Sequence, residues 1–152
     1  MEPAFRSLAL ADIARPDFVD LVAIPLPPGA DLDPARWAET VFAVGSAPGW
    51  VRLLFGIRQA LVRLIGVDRG EASVFAVDTV VGEEALIRAD DRHLDFRCGV
   101  GVDPTAGLVR VTTVVRLHGW RGRLYFAPVK VVHPLVVAAM LKRAARVMAA
   151  AG

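Results

Sequence analysis

Two stretches of strict alternation, His93–Val102 and Leu108–His118, limit what this chain can fold into more than any other feature. In the first, Leu94, Phe96, Cys98, Val100 and Val102 share one face, and His93, Asp95, Arg97, Gly99 and Gly101 share the other. In the second, Val109, Val111, Thr113, Val115 and Leu117 lie opposite to Arg110, Thr112, Val114, Arg116 and His118. A period of two marks a half-buried strand, because successive side chains point to opposite faces. Asp103-Pro104-Thr105-Ala106-Gly107 between them is turn chemistry. The pair therefore predicts an antiparallel hairpin with one dry and one charged face. Its parity is fixed, since a slip of one residue would carry a whole apolar set to the wrong side. One register that satisfies this sets Val102 opposite Val109, Phe96 opposite Val115, Asp95 opposite Arg116 and His93 opposite His118. A third strand, Ala85–Asp90, joins through a tight Asp91-Arg92 loop, with Ile87 beside Phe96 and Arg88 beside Asp95. Asp95 is then expected to tie three strands together between Arg88 and Arg116.

The rest of the chain supplies layers for this sheet. Residues 1–16 read as a loose lead-in, and Asp17–Leu26 as a strand ended by Pro25, Pro27, Pro28 and Gly29. Asp33-Pro34 is a helix start, since Asp caps free N–H groups and Pro at the first position has no N–H to lose. Trp37, Val41 and Val44 give that helix its apolar stripe, and Gly45 its end. A second helix is expected from about Pro48 to Ile65, stopped by Gly66, with Arg52, Gln59 and Arg63 along one side. Val74–Val80 reads as the next strand, and Gly82-Glu83 as its turn. After Trp120-Arg121-Gly122-Arg123 comes a long, mostly apolar helical segment that Pro134 either starts or kinks. Leu135, Val136, Ala139, Met140 and Val147 are its candidates for covering the sheet; Lys142, Arg143 and Arg146 read as a basic final turn. The whole, 152 residues without an internal repeat or linker, is expected to be one domain with its core in 17–148.

Composition removes several function classes. A formal charge of +2 with no basic tail argues against nucleic acid as a partner. A single cysteine excludes an internal disulfide framework. The N-terminus has no signal-peptide pattern, so a cytoplasmic location is expected. Leu124–Leu141 is the most apolar region, but Pro128, Lys130, His133 and Pro134 interrupt it. A buried core helix is therefore expected there in preference to a transmembrane or membrane-surface one.

Catalytic motifs are also scarce. Gly99-Val100-Gly101-Val102-Asp103-Pro104 lacks the third glycine and following helix of a dinucleotide loop, so its glycines are expected to allow a strand bend or bulge. Gly45-Ser46-Ala47-Pro48-Gly49 is not a nucleophile elbow. Three scattered histidines and one cysteine make no structural zinc set. His93 and His118 with Asp95 could hold a metal, but a plain polar sheet face explains them more simply; no metal or cofactor is expected. His133 reads as a helix-start residue, and Cys98 as an inert core thiol.

The order of strand, two helices, antiparallel strands and long terminal helix predicts an α+β domain, with helices gathered on one face of a curved sheet. That order resembles the helix-grip fold of the START/Bet v 1-like (SRPBCC) superfamily. Ile24-Pro25-Leu26-Pro27-Pro28-Gly29-Ala30, Asp90-Asp91-Arg92-His93-Leu94-Asp95-Phe96-Arg97, Thr112-Thr113-Val114-Val115 and Gly122-Arg123-Leu124-Tyr125 resemble, more narrowly, the DUF2867 family. The superfamily resemblance implies a binding protein for a small apolar or amphipathic ligand held between sheet and C-terminal helix. Phe96, Thr113, Val115, Tyr125 and Met140 are the candidate ligand-binding residues, Thr113 as the one hydroxyl on an aliphatic strand face. A cyclase- or hydrolase-like enzyme is the alternative, with Asp95, Arg97, His118 or His133 as acid or base. A non-catalytic interaction module, including a homo-oligomer, is the third.

Overall fold

The computed structural model describes residues 6–43, 48–53, 56, 76–90 and 93–151. In chain order they form α1 (Leu8–Asp12), β1 (Phe18–Pro25), α2 (Pro34–Val41), β2 (Thr79–Val81), β3 (Glu84–Asp90), β4 (Leu94–Asp103), β5 (Leu108–Leu117) and α3 (Gly119–Ala151). Backbone at 49–53 is also helical, with Val51 buried. Residues 54, 55 and 57–65 of that expected helix, with Gln59 and Arg63, lie outside the described residues, as do the stop signals Gly45 and Gly66 and the Asp91-Arg92 loop. The five strands make one antiparallel sheet in the order β1-β5-β4-β3-β2.

The β4–β5 hairpin has the expected register: Val102 pairs with Val109, Phe96 with Val115 and Asp95 with Arg116. Beyond the ladder, His118 N–H donates to the His93 carbonyl at 2.7 Å. β3 is displaced by two residues from its expected place. Ile87 pairs with Cys98, Arg88 with Arg97 and Asp90 with Asp95. A two-residue slip preserves the face of every side chain, so the dry and charged sets are as read, while the β3 neighbour of Asp95 is Asp90 and not Arg88.

The dry face packs against α2 and α3. Trp37, Ile87, Val100, Val102, Val109, Val111 and Leu141 are buried in one core with Met140, Ala144 and Met148. Complete burial of a large apolar side chain contributes roughly 1.5–3 kcal/mol, so this layer dominates the stability. α2 starts as expected: Asp33 accepts from Ala35 N–H at 2.9 Å, and Pro34 occupies the first turn. Arg143 closes its other end, donating to the Thr40 carbonyl at 2.5 Å. Lys142, Arg143 and Arg146 are therefore not a final turn; α3 continues to Ala151.

α3 begins at Gly119, well before Pro134, and contains Pro128 and Pro134 in its interior. Its sheet-facing residues are Phe126, Met140, Leu141, Ala144 and Met148, whereas Leu135 and Val147, expected to cover the sheet, are exposed. A segment apolar on nearly all sides has no polar stripe to set its rotation, so the sequence does not orient it.

The charged face is not bare. The lead-in expected to be loose carries α1, whose Ala9 and Ile13 pack on Leu86 and Val114. Glu84 receives the start of this helix, accepting from Ser7 Oγ at 2.7 Å and Leu8 N–H at 3.2 Å. Asp12 holds its end through Arg88 at 3.0 Å and a charge-assisted bond from Arg97. Arg97 is also clasped by Asp90, so the tie across the strands is centred on Arg97 and not on Asp95.

Gly99 and Gly101 serve these side chains. The ladder runs unbroken through both, so of the expected bend or bulge no bulge forms. A Cβ on Gly99 would lie 1.9 Å from Glu84 Oε1, and one on Gly101 would lie 2.7 Å from the Arg110 guanidinium carbon. Glu84, Gly101 and Arg110 form one cross-strand row, and the missing side chain lets acid and base approach over it to 3.8 Å.

Candidate ligand-binding site

A cleft of about 180 Å³ opens where the edge of the sheet meets α3. Asp17 and Phe18 come from the β1 end, Leu117 from β5, and Arg123, Phe126, Ala127 and Lys130 from α3. Local folding brings them together. Asp17 N–H bonds to the Val115 carbonyl at 2.8 Å, and its carboxyl oxygen accepts from Leu117 N–H at 2.7 Å, so β1 is pinned where the cleft begins. Phe18 alternates inward with Asp20, Val22 and Ile24, and packs edge-to-face on Phe126 with ring centres 5.0 Å apart. Arg123 reaches Asp17 at 3.8 Å. The result is an aromatic corner with two cationic side chains at its rim.

One ring away from the cleft, His133 packs edge-on against Phe18 at 5.6 Å and faces Asp20, with Nδ1 to Oδ2 3.1 Å. Both side chains are largely buried. Burial holds the His133 pKa below its ordinary value, and Asp20 only partly offsets this. Neutral imidazole with Nδ1–H donating to Asp20 keeps Nε2 as the basic nitrogen. His133 thus lies well inside α3, not at a helix start. The signal that would have found this pair is Asp20 itself, a carboxyl residue on the inward parity of Phe18, Val22 and Ile24.

A second cleft, about 310 Å³ and wide open, is lined by His93, His118, Gly119, Trp120 and Arg121. His118 Nε2 stands 2.9 Å from Asp95 Oδ2, so the expected grouping of these residues forms. Among the described residues, no group of three or more His, Cys, Asp or Glu side chains is placed to hold a metal ion.

None of the five ligand-binding candidates from the sequence lines either cleft. Thr113, Val115 and Met140 are buried, and Phe96 and Tyr125 are half-buried. Val115 is nevertheless the ladder partner of Phe18, and Thr113 that of Asp20, so two of them lie beside these residues on the neighbouring strand. Cys98 lies beyond Thr113, its ladder partner, and burial pushes its thiol up to about 12. That agrees with an inert core thiol. The residues that sequence reasoning missed, Phe18, Arg123 and Lys130, come from an edge strand and from the first turns of α3.

Compared with known proteins, no curated protein and no solved structure matches this chain. The family described as "Protein of unknown function (DUF2867)" matches residues 13–140, which take in all five strands, α2, the cleft residues and the His133–Asp20 pair. The chain belongs to the DUF2867 family.

Proposed function

We propose that the protein binds a small amphipathic molecule with an anionic head, held between the sheet edge and α3, on a helix-grip domain of the START/Bet v 1-like kind. The observation that carries this is the pairing of the Phe18–Phe126 corner with Arg123 and Lys130 in one cleft. The apolar part of the cleft is Phe18, Leu117, Phe126 and Ala127, and Asp17 holds Arg123 at its rim. At about 180 Å³ the cleft is smaller than the roughly 300–1,000 Å³ of drug-sized sites, so it suits the head and first atoms of a ligand. A tail reaching Val115, Thr113 or Met140, all buried, would require the packing between sheet and α3 to open.

Native mass spectrometry of the purified protein, followed by extraction of the bound species, tests this. An acidic amphipath is expected, retained by the native chain and lost from Arg123→Glu/Lys130→Glu. A bare mass, together with no chemical-shift change at Phe18 or Phe126 on titration with short fatty acids, would remove the proposal. A second reading, a hydrolase-like enzyme, rests on the buried His133–Asp20 pair, which has the base-and-orienter geometry of acid–base catalysis. It expects His133→Gln to abolish turnover of a bound ester while leaving ligand retention unchanged.

A further inference from the structure

We infer that the outer face of α3 docks on an anionic lipid surface. Trp120, Leu124, Val131 and Leu135 are 68%, 57%, 70% and 65% exposed. At 3.6 residues per turn they fall within an arc of roughly 60°, a continuous apolar stripe over the first half of the helix. Ala127 and Pro128, also exposed, complete it. α3 is long and apolar enough to cross a membrane by length and composition, yet only 17% of its most apolar 18-residue stretch is buried. It is thus an apolar helix whose water-facing side is apolar too.

Charge identifies the occupant. No Asp or Glu occurs after Asp103, whereas Arg121, Arg123, Lys130, Lys142, Arg143 and Arg146 all lie on α3. Arg121 stacks over Trp120, its guanidinium carbon 5.4 Å from the ring centre, at one flank of the stripe. Lys142 and Arg146 are exposed and continue the stripe toward the C-terminus. An apolar band edged by cations, with an aromatic ring among them, matches an interface of acyl chains and anionic headgroups. A second copy of the same face would bring these cations against one another. Met140, Leu141, Ala144 and Met148 hold the opposite side of the helix to the core, so α3 lies on a surface without leaving the sheet. The docking face shares Arg123, Ala127 and Lys130 with the cleft, but the variants that test it leave these three in place.

Flotation of the purified full chain with phosphatidylcholine vesicles, with and without phosphatidylglycerol, is the test. The protein is expected to float with the anionic vesicles, to be released by high salt and to stay behind with phosphatidylcholine alone. Each cation near such a surface is worth about a factor of five, so Arg121→Gln/Lys142→Gln should weaken partitioning about 25-fold. Leu124→Ser/Val131→Ser/Leu135→Ser touches no core or cleft residue and should retain the native circular dichroism while losing flotation. Three outcomes overturn the inference: no flotation of a folded protein, equal flotation with both vesicle types, or a dimer in sedimentation that the triple variant abolishes. Retention in membranes of expressing cells after alkaline carbonate would also overturn it, by showing a spanning helix.

Discussion

Arg97 organises the charged face of the sheet. Asp90 and Asp12 both accept from its guanidinium, and these bonds raise its pKa further against the opposing effect of burial. Arg97→Met takes the Arg97 donor from Asp90 and leaves Asp12 with Arg88 alone. It should cost near the lower end of the about 3–5 kcal/mol found for breaking a buried pair, because Asp90 is itself half-exposed. Asp95→Asn removes only the partly exposed contact with His118 and should cost about 0–1 kcal/mol. Urea denaturation of both variants checks the order; the reverse order would return the central role to Asp95. Cys98 gives a sharper expectation. Fully buried and with its pKa pushed up to about 12, it presents almost no thiolate at neutral pH. Ellman's reagent should leave it unmodified in the native protein and react promptly in denaturant.

At the scale of elements, α1 and the start of α3 are held by specific polar contacts and close approach more than by area. α1 is five residues long and could not persist alone. Its anchors are Glu84 at one end and Asp12 at the other, with Ala9 and Ile13 between them. Asp12→Ala should raise amide exchange across residues 8–12 while β4 and β5 keep their protection. Equal loss of protection in the sheet would mean that α1 is part of the folding unit and not a latch upon it. The first turn of α3 depends on Gly122, where a Cβ would stand 2.3 Å from the His93 carbonyl oxygen. That neighbour is backbone and cannot rotate away. Gly122→Ala should therefore cost about 1–3 kcal/mol, read by thermal melting, through displacement of the turn that carries Arg123 and Phe126.

The whole molecule should have a stability plateau between about pH 6.5 and 9. His133 has a folded pKa below its ordinary 6.5, so the unfolded chain binds more protons as pH falls through that value, and stability declines below it. Asp12 has the same sign further down. The hydrogen bond from Arg97, with the charge of Arg88, holds it below 3.8, so its contribution is lost as pH drops under that value. Cys98 acts on the alkaline side, since its folded pKa lies above 9.0; the unfolded chain releases the thiol proton first and stability falls as pH rises past 9. Melting temperatures across pH should trace this dome. His133→Gln should flatten the limb just below 6.5, and Cys98→Ala the limb just above 9.

Local rules determined the parts of this protein whose side chains alternate or cap. The β4–β5 register, the faces of three strands and the Asp33-Pro34 start of α2 are legible because each depends on neighbours close in sequence. The two-residue displacement of β3 was not legible, because parity leaves such slips degenerate and only the packed sheet separates them. Nor was the rotation of α3, apolar on nearly every side, which is set by what Phe126, Met140 and Leu141 meet on the sheet. The candidate site belongs to the second kind. Asp20 and His133 are 113 residues apart, and Phe18 and Phe126 join an edge strand to the terminal helix. Tertiary packing alone makes these neighbours, because no local period relates them.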